Sequence, residues 1–165
     1  MPAVTNIVIA GLGGQGVLTA CRIAADAAFR MGLDVKKAEV HGMSRRGGSV
    51  ACDVRFGCRV FSPMVPAGEA DYLVALSADR AQANRWRLRA GGTLIEPPVS
   101  GVNALPEKRV LNMFLLGALS KFLDFPPYVW LDSIQANVPE KSLAANRSAF
   151  GLGRAGEGRV TTFAP

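Results

Sequence analysis

Short apolar runs alternate with amphipathic segments along most of the chain, and glycine or proline separates them. Short runs of β-branched and apolar residues bounded by glycine are typical of strands buried on both faces of a parallel sheet. Apolar residues that recur at three- and four-residue steps are typical of helices. The predicted strands are 6–10, 34–40, 50–56, 71–77 and 93–96, and the predicted helices are 17–31, 78–90, 110–123 and 139–150. A turn at Gly57 and Cys58 is expected to form a hairpin with 59–62.

The order of these elements indicates one α/β domain. The first strand, its glycine-rich turn and the following helix form the first half of a βαβ unit. A length of 165 residues suits a single domain, and no linker or internal repeat divides it. We predict a single Rossmann-like three-layer domain with a mainly parallel sheet over residues 1–153. Residues 154–165 are glycine-rich and lack periodicity, so we predict a C-terminal tail, ordered only if another element holds it.

Two segments are unusual for a solvent-exposed surface. The predicted helix 110–123 is apolar on nearly all sides, which places it inside the domain or against another subunit. Four arginines surround Trp86 in the predicted helix 78–90, namely Arg80, Arg85, Arg87 and Arg89. A solvated face is the ordinary interpretation. A subunit contact is the alternative, because arginine and tryptophan are enriched at binding hot spots.

The composition limits the classes of function. Apolar residues make up 49% of the chain and the net charge is +6, so a real core and a basic surface are expected. The basic residues are scattered without a tract or interleaved aromatics, which argues against nucleic acid and favours anionic ligands or an acidic partner. No stretch has the length of a membrane span, and the N-terminus lacks the features of a signal peptide. We therefore expect a cytoplasmic protein that is not bound to a membrane.

The cysteines and the histidine suggest no reaction centre. The three cysteines, Cys21, Cys52 and Cys58, have no CxxC spacing, so we expect neither a disulfide framework nor a metal site. An iron–sulfur cluster needs about four thiolates, which this chain does not contain. Buried thiols in a reducing cytoplasm are the expectation. His41 is the only histidine and has no evident catalytic partner, so no catalytic residue is assigned.

A glycine fingerprint follows the first strand. Such a turn lets backbone amides approach a phosphate at a helix N-terminus, although the glycines can instead serve tight strand–helix packing. Glu39 lies near the position at which a dinucleotide fold binds the ribose, but the chain is short for a dehydrogenase. The candidate cofactor-binding residues of this turn are Gly11, Gly13, Gly14, Gln15 and Gly16.

A second glycine-rich loop follows the second predicted strand. Two adjacent arginines can bind a carboxylate or phosphate through paired hydrogen bonds, and a glycine turn can present amides to an anion. Ligand contact and partner contact remain equally open on these residues alone. The candidate residues of this loop are Ser44, Arg45, Arg46, Gly47, Gly48 and Ser49.

Together these motifs resemble the gamma-type subunit of 2-oxoacid:ferredoxin or other acceptor oxidoreductases. The similar segments are NIVIAGLGGQGVLTACRIAADAA, EVHGMSRRGGSV, SPMVPAGEADYLVAL, NMFLLGAL and NRSAFGLG, which extend from Asn6 to about Gly153. Known members act on pyruvate, indolepyruvate, 2-oxoisovalerate, 2-oxoglutarate and phenylglyoxylate.

The resemblance implies a subunit that is inactive alone and belongs to a complex that converts a 2-oxoacid and coenzyme A to acyl-CoA and CO2. It implies thiamine diphosphate, Mg and 4Fe-4S clusters on partner subunits: thiamine-binding alpha and beta chains and a ferredoxin-like chain. Both glycine loops should then face coenzyme A or 2-oxoacid at a shared site. A free-standing nucleotide-binding module and a small NAD(P)-dependent oxidoreductase are the alternatives.

Overall fold

A computed structural model describes residues 4–42, 47–98, 108–157 and 159–163. Its strands are β1 Thr5–Leu12, β2 Asp34–His41, β3 Ser49–Gly57, β4 Ala70–Ala75, β5 Leu88–Glu96 and β6 Arg159–Thr162. Its α-helices are α1 Val17–Arg30, α2 Ala78–Asn84, α3 Leu111–Ser120, α4 Pro127–Asn137 and α5 Glu140–Leu152. Short helical turns occupy Arg85–Arg87, Lys108–Val110 and Gly153–Glu157.

The strands form one mixed sheet in the order β2-β3-β1-β4-β5-β6. β1 pairs in parallel with β4, and β4 pairs in parallel with β5. The other neighbours are antiparallel, so β1, β2, β4 and β5 run one way and β3 and β6 run the other. The predicted α/β class is confirmed, with a sheet that is mostly parallel by strand direction. β3 lies between β1 and β2, the two strands that α1 connects.

Helices cover both faces of this sheet. Alternate residues of a strand point to opposite faces, and in β1 Ile7 and Ile9 join a large apolar cluster that includes residues of α1, α3, α4 and α5. Val8 and Ala10 join a smaller cluster on the opposite face, which includes Ala81 of α2. All residues of α3 from Asn112 to Ser120 are buried, so the apolar helix predicted around 110–123 lies inside the domain.

The prediction of a helix over 78–90 is wrong in its second half. α2 ends at Asn84, and Leu88 begins β5, which pairs with β4. Gly92 lies within β5, and a Cβ atom there would lie 2.9 Å from the Ala70 carbonyl oxygen. This glycine permits a close approach of two strands where their register shifts.

The predicted hairpin between 50–56 and 59–62 is also wrong, because 59–62 form no strand. Side chains hold this segment instead: the Val60 amide donates to Asp34 Oδ2 at 2.8 Å, and Arg55 Nη1 donates to the Ser62 carbonyl at 2.9 Å. The hydrogen bond from Val60 lowers the pKa of the Asp34 carboxyl. The hairpin in this region joins β2 and β3. Helix α4 was not predicted.

Long-range contacts decide the state of two cysteines and of the C-terminal segment. Cys21 of α1 and Cys52 of β3 are fully buried and joined by a disulfide, with their Cα atoms 6.3 Å apart. This corrects the expectation of buried free thiols, since α1 packs on β3 and brings the two side chains together. Cys58 is exposed and free. In the C-terminal segment, Arg159–Thr162 pair with β5 as the edge strand β6, and this pairing supplies the contact that orders them.

Candidate functional site

The first glycine turn connects β1 to α1 in a left-handed backbone conformation. Gly14 has φ +89° and Gly16 has φ +80°, a backbone region that residues other than glycine rarely adopt. The Gln15 side chain closes the turn, because its Oε1 accepts a hydrogen bond of 2.7 Å from the Leu12 amide. The turn therefore has one defined shape, and it lies at the carboxyl end of β1.

Close packing explains part of this glycine pattern. A Cβ atom at Gly11 would lie 2.7 Å from Val17 Cγ2, so this glycine allows α1 to start directly against β1. A Cβ atom at Gly13 would meet nothing nearer than the Gly47 amide nitrogen at 3.7 Å. Packing thus accounts for Gly11, whereas Gly13 leaves space in front of its backbone.

Asn112 of α3 supports the first glycine turn from inside the domain. Its Nδ2 donates to the Gly16 carbonyl at 3.1 Å, and its Oδ1 accepts from the Met113 amide at 2.9 Å. Asn112 is buried and was not predicted as a site residue. Its signal in the sequence is that it is the only polar residue in the apolar run 110–119.

The two glycine turns meet. The Gly13 amide donates to the Gly48 carbonyl at 2.9 Å, and Leu12 lies opposite Ser49 in the pairing of β1 with β3. Gly47 has φ +64°, and the Gly42 amide donates to the Ser49 carbonyl at 2.7 Å. The predicted residues Gly47, Gly48 and Ser49 are therefore beside the first turn. Ser44, Arg45 and Arg46 lie outside the described residues.

Open clefts flank the first turn on both sides. One, of about 420 Å³, is lined by Gly13, Gly14 and Gly16 together with Arg22 and His41. The other, of about 200 Å³, is lined by Gly14, Gln15, Leu76, Arg109 and Leu111.

The second cleft lies at the carboxyl ends of β1 and β4. These neighbouring parallel strands lead into helices on opposite faces of the sheet. Such a switch point is where open α/β sheets bind ligands. The first turn of α1 has no acidic residue, so its amides favour an anion. Arg22, which lines the first cleft, and Arg109, which lines the second, add positive charge.

Glu39 and His41 do not form a dinucleotide site. Both lie on β2, which β3 separates from β1, so Glu39 is two strands away from the first glycine turn. Lys37 donates to Glu39 at 2.7 Å, and this bond is the main cause that lowers the pKa of the Glu39 carboxyl. His41 Nε2 lies 3.7 Å from Glu39 Oε2, and its side chain is 55% exposed. This arrangement weakens the NAD(P) alternative.

A buried ion pair lies on the α2 face of the sheet. Arg87 Nη2 donates to Asp53 Oδ2 at 2.7 Å, with the Asp53 side chain fully buried. The Val65 amide donates to the same oxygen at 2.8 Å. Of the arginines around Trp86, Arg89 binds Asp71 at 2.6 Å and Arg85 stacks on Phe163, and both residues remain exposed.

The part of the chain that the structure describes contains neither a membrane-spanning helix nor a cluster of metal-binding side chains. None of its helices is both long and apolar enough to cross a bilayer. No group of three or more histidine, cysteine or acidic side chains in those same ranges is placed to hold a metal ion.

A mixed sheet with helices on both faces and a glycine turn at its switch point defines a doubly wound α/β domain. The profile of the pyruvate ferredoxin/flavodoxin oxidoreductase family matches residues 6–156. The chain belongs to this family, which confirms the resemblance drawn from its motifs.

The relatives are subunits of larger enzymes. Indolepyruvate oxidoreductase subunit IorB of Thermococcus kodakarensis is 37% identical over 190 aligned positions, covering 90% of this chain and 93% of that protein. The subunit IorB of Pyrococcus horikoshii is 36% identical over 191 positions with the same coverage. The prediction of an oxidoreductase subunit that is not active alone is thereby confirmed.

Solved structures share the fold. The gamma subunit of keto/oxoacid ferredoxin oxidoreductase from Geobacter sulfurreducens has a TM-score of 0.77 at 23% identity, over 93% of this chain and 98% of that one. A 2-oxoglutarate:ferredoxin oxidoreductase from Magnetococcus marinus, solved with 2-oxoglutarate, coenzyme A and succinyl-CoA, has a TM-score of 0.81 at 21% identity. That match covers 92% of this chain and 30% of the other, so the fold is there one part of a longer polypeptide.

Proposed function

We propose that this chain is the gamma-type subunit of a complex that oxidatively decarboxylates a 2-oxoacid with coenzyme A to acyl-CoA and CO2. Its role there is to bind an anionic part of coenzyme A or of the 2-oxoacid at a site shared with neighbouring subunits. The observation that carries this proposal is the contact between the two glycine turns, through the hydrogen bond from Gly13 to Gly48. Backbone amides and arginine side chains are suited to phosphate and carboxylate groups.

The remaining cofactors belong to the partner subunits in this proposal: thiamine-binding alpha and beta chains and a ferredoxin-like iron–sulfur chain. The chain's own cysteines do not suit an iron–sulfur cluster, because Cys21 and Cys52 are bonded to each other and Cys58 is a single thiol. Thiamine diphosphate with Mg²⁺ supplies the decarboxylation chemistry, and the clusters accept the electrons. This subunit holds and orients the anionic ligand.

Gly13→Ala tests the role of the first turn. The added methyl group would have only ordinary contacts, the nearest at 3.7 Å, so the fold should tolerate it. A ligand that approaches the Gly13 backbone would be displaced by this methyl group. In the reconstituted complex we expect the KM for coenzyme A or for the 2-oxoacid to rise at least several-fold, with the thermal stability of this chain almost unchanged.

Gly151→Ala is the matched control. Gly151 lies in α5, away from both turns, and a Cβ atom there would meet nothing within 4 Å. Arg46→Ala should depress turnover of the complex more than it lowers the stability of this chain. The proposal is wrong if Gly13→Ala and Arg46→Ala both leave the kinetics for every substrate at wild-type values.

A further inference from the structure

Strand β2 forms one edge of the sheet. It is the first strand in the sheet order and, within the described residues, it pairs on one side only, with β3. From Lys36 to His41 every residue except Ala38 is exposed. Such an edge presents a row of backbone N–H and C=O groups to a further strand, unless charged side chains keep other strands away. The charges along β2 therefore decide what can pair with it.

The backbone groups that point away from β3 belong to alternate residues of β2. The Gly42 amide donates to the Ser49 carbonyl at 2.7 Å, which continues the ladder between β2 and β3 by one residue. In an antiparallel pair, residues that bond to the partner strand alternate with residues whose backbone groups point outward. The even-numbered residues of β2 therefore bond to β3. The residues with outward-pointing backbone groups are Val35, Lys37, Glu39 and His41.

Two opposite charges lie on the same face of this edge. Side chains of a strand alternate between the faces of the sheet. Val35 packs against the large apolar cluster on the face that α1 covers, so Lys37 and Glu39 lie on that face too. Lys37 Nζ lies 2.7 Å from Glu39 Oε1, and the two side chains are 40% and 32% exposed. Ala38, a small residue between them, points to the opposite face.

A second copy of the chain fits this edge in a two-fold arrangement. A two-fold axis perpendicular to the sheet places the second β2 antiparallel to the first and keeps the same face of both sheets on one side. With the axis at Lys37 or at Glu39, two like charges would lie directly opposite each other, which is destabilising. With the axis at Ala38, Lys37 lies opposite Glu39 of the second copy on both sides of the axis. The charges therefore favour the register centred on Ala38.

We propose that two copies of this chain pair through β2, antiparallel and with Ala38 on the two-fold axis, so that their sheets become continuous. In this register the residues with outward-pointing backbone groups face each other: Lys37 faces Glu39, and Val35 faces His41. Each of these pairs exchanges two hydrogen bonds and occurs twice, which gives about eight backbone hydrogen bonds. The contact uses no ligand, so it is independent of the proposed function.

The opposite face of β2 is compatible with this register. Ala38 lies opposite Ala38 of the second copy in a pair without mutual hydrogen bonds, where side chains come closest, and its small side chain avoids a clash on the axis. Lys36 lies opposite Val40, which is 47% exposed in the single chain. The methylene groups of a lysine can cover an apolar side chain while the ammonium group stays in water. The pairing therefore buries no charge on this face.

Charge reversal tests the pairing of Lys37 with Glu39. In sedimentation velocity over a concentration series, the full chain should show a monomer–dimer equilibrium. Lys37→Glu and Glu39→Lys should each raise the Kd of the dimer at least about 10-fold, because like charges then lie directly opposite at two symmetry-related places. The double variant Lys37→Glu/Glu39→Lys restores opposite charges in reversed order and should recover the wild-type Kd.

Lys36→Glu is the matched control for these variants. It makes the same change of charge as Lys37→Glu in the adjacent exposed residue, so both lower the net charge of the chain equally. Its partner in the proposed register is Val40, which carries no charge, and the Kd should stay close to that of the wild type. Circular dichroism and Tm should be almost the same for all of these proteins, because exposed ion pairs contribute little to stability.

A cysteine on the two-fold axis tests the register. Ala38→Cys is made together with Cys58→Ser, which removes the exposed free thiol. The Cα atoms of the two introduced residues should lie about 4.5 Å apart, within the range of a disulfide. Mild oxidation with a copper–phenanthroline complex should therefore give a covalent dimer, both with the chain alone and in the reconstituted complex. Lys36→Cys in the same background should give none, because its two thiols would be more than about 10 Å apart.

Three outcomes would overturn the inference. The first is a chain that stays monomeric at every concentration and gives no covalent dimer with Ala38→Cys. The second is a dimer whose Kd is unchanged in Lys37→Glu, since it would use another surface. The third is a complex in which hydrogen exchange of the Lys37 and Glu39 amides is slow but Ala38→Cys forms no covalent dimer. In that case a different subunit covers the edge of the sheet.

Discussion

Removing one partner of the buried ion pair between Asp53 and Arg87 should be one of the most destabilising polar changes in this chain. The Asp53 side chain is fully buried and that of Arg87 is 9% exposed, so neither charge can be resolvated locally. Asp53 Oδ2 accepts from both Arg87 and the Val65 amide. Breaking such a pair costs about 3–5 kcal/mol, because one buried charge is left uncompensated.

Arg87→Met should therefore lower the free energy of unfolding by about 3–5 kcal/mol. At about 2–4 °C per kcal/mol for a chain of this size, Tm should fall by roughly 10 °C. The double variant Asp53→Leu/Arg87→Met removes both charges and should recover most of the loss. Urea denaturation of the wild type, Asp53→Leu, Arg87→Met and the double variant in one buffer gives the double-mutant cycle.

Arg89→Met is the matched control for this cycle. It breaks an ion pair of similar length, 2.6 Å to Asp71, but the Arg89 side chain is 50% exposed. The cost there should stay below about 1 kcal/mol. The reasoning is refuted if Arg87→Met costs no more than Arg89→Met, or if the double variant is as unstable as the sum of the two single variants.

Three further changes test other contacts. Gly117→Ala should cost on the order of 1–3 kcal/mol in urea denaturation, because its Cβ would overlap the Phe150 carbonyl where α3 packs on α5; Gly151→Ala, in open space, should cost nothing. Asn112→Ala should cost about 1 kcal/mol of stability and raise the KM for coenzyme A in the complex, since the Gly16 carbonyl then keeps only the Ala20 amide as a donor and loses its tie to α3; an unchanged KM would show that this bond only serves packing. Reductant should lower the Tm of the wild-type chain but not that of Cys21→Ala, because the disulfide restricts the unfolded chain and thereby stabilises the fold by about 2–4 kcal/mol. An equal response of both proteins would mean that the bond does not form in solution.

The elements that were predictable are those specified by local periodicity. The buried runs around Ile7 and Leu73 and the Ala-rich repeat of α1 occupy the predicted strands and helix. The apolar run around 110–123 predicts a helix inside the domain or against another subunit, and α3 lies inside the domain. The hydrophobic pattern within each of these segments is sufficient to specify its strand or helix, without contacts from distant residues.

The errors arise where a distant residue decides the structure. Asp53 alternates with the apolar residues Cys52 and Val54 in the predicted strand 50–56, a pattern typical of a solvated strand face, yet it is fully buried because Arg87 and the Val65 segment cover it. Residues 88–90 belong to the predicted helix 78–90, whereas pairing with β4 makes them the start of β5. The Cys21–Cys52 bond depends on β3 entering the sheet between β1 and β2, an order that no local pattern specifies.

The same long-range contacts converge on the candidate site. The disulfide ties the helix that follows the first glycine turn to β3, the strand that follows the second turn. Asn112 holds the Gly16 carbonyl from the core, and Gly13 binds Gly48 across the two turns. Loops that serve only as connections are usually mobile, and anchoring them costs conformational entropy without a gain in packing. These anchors are instead what a preorganised binding surface requires, because less conformational entropy is then lost when a ligand binds.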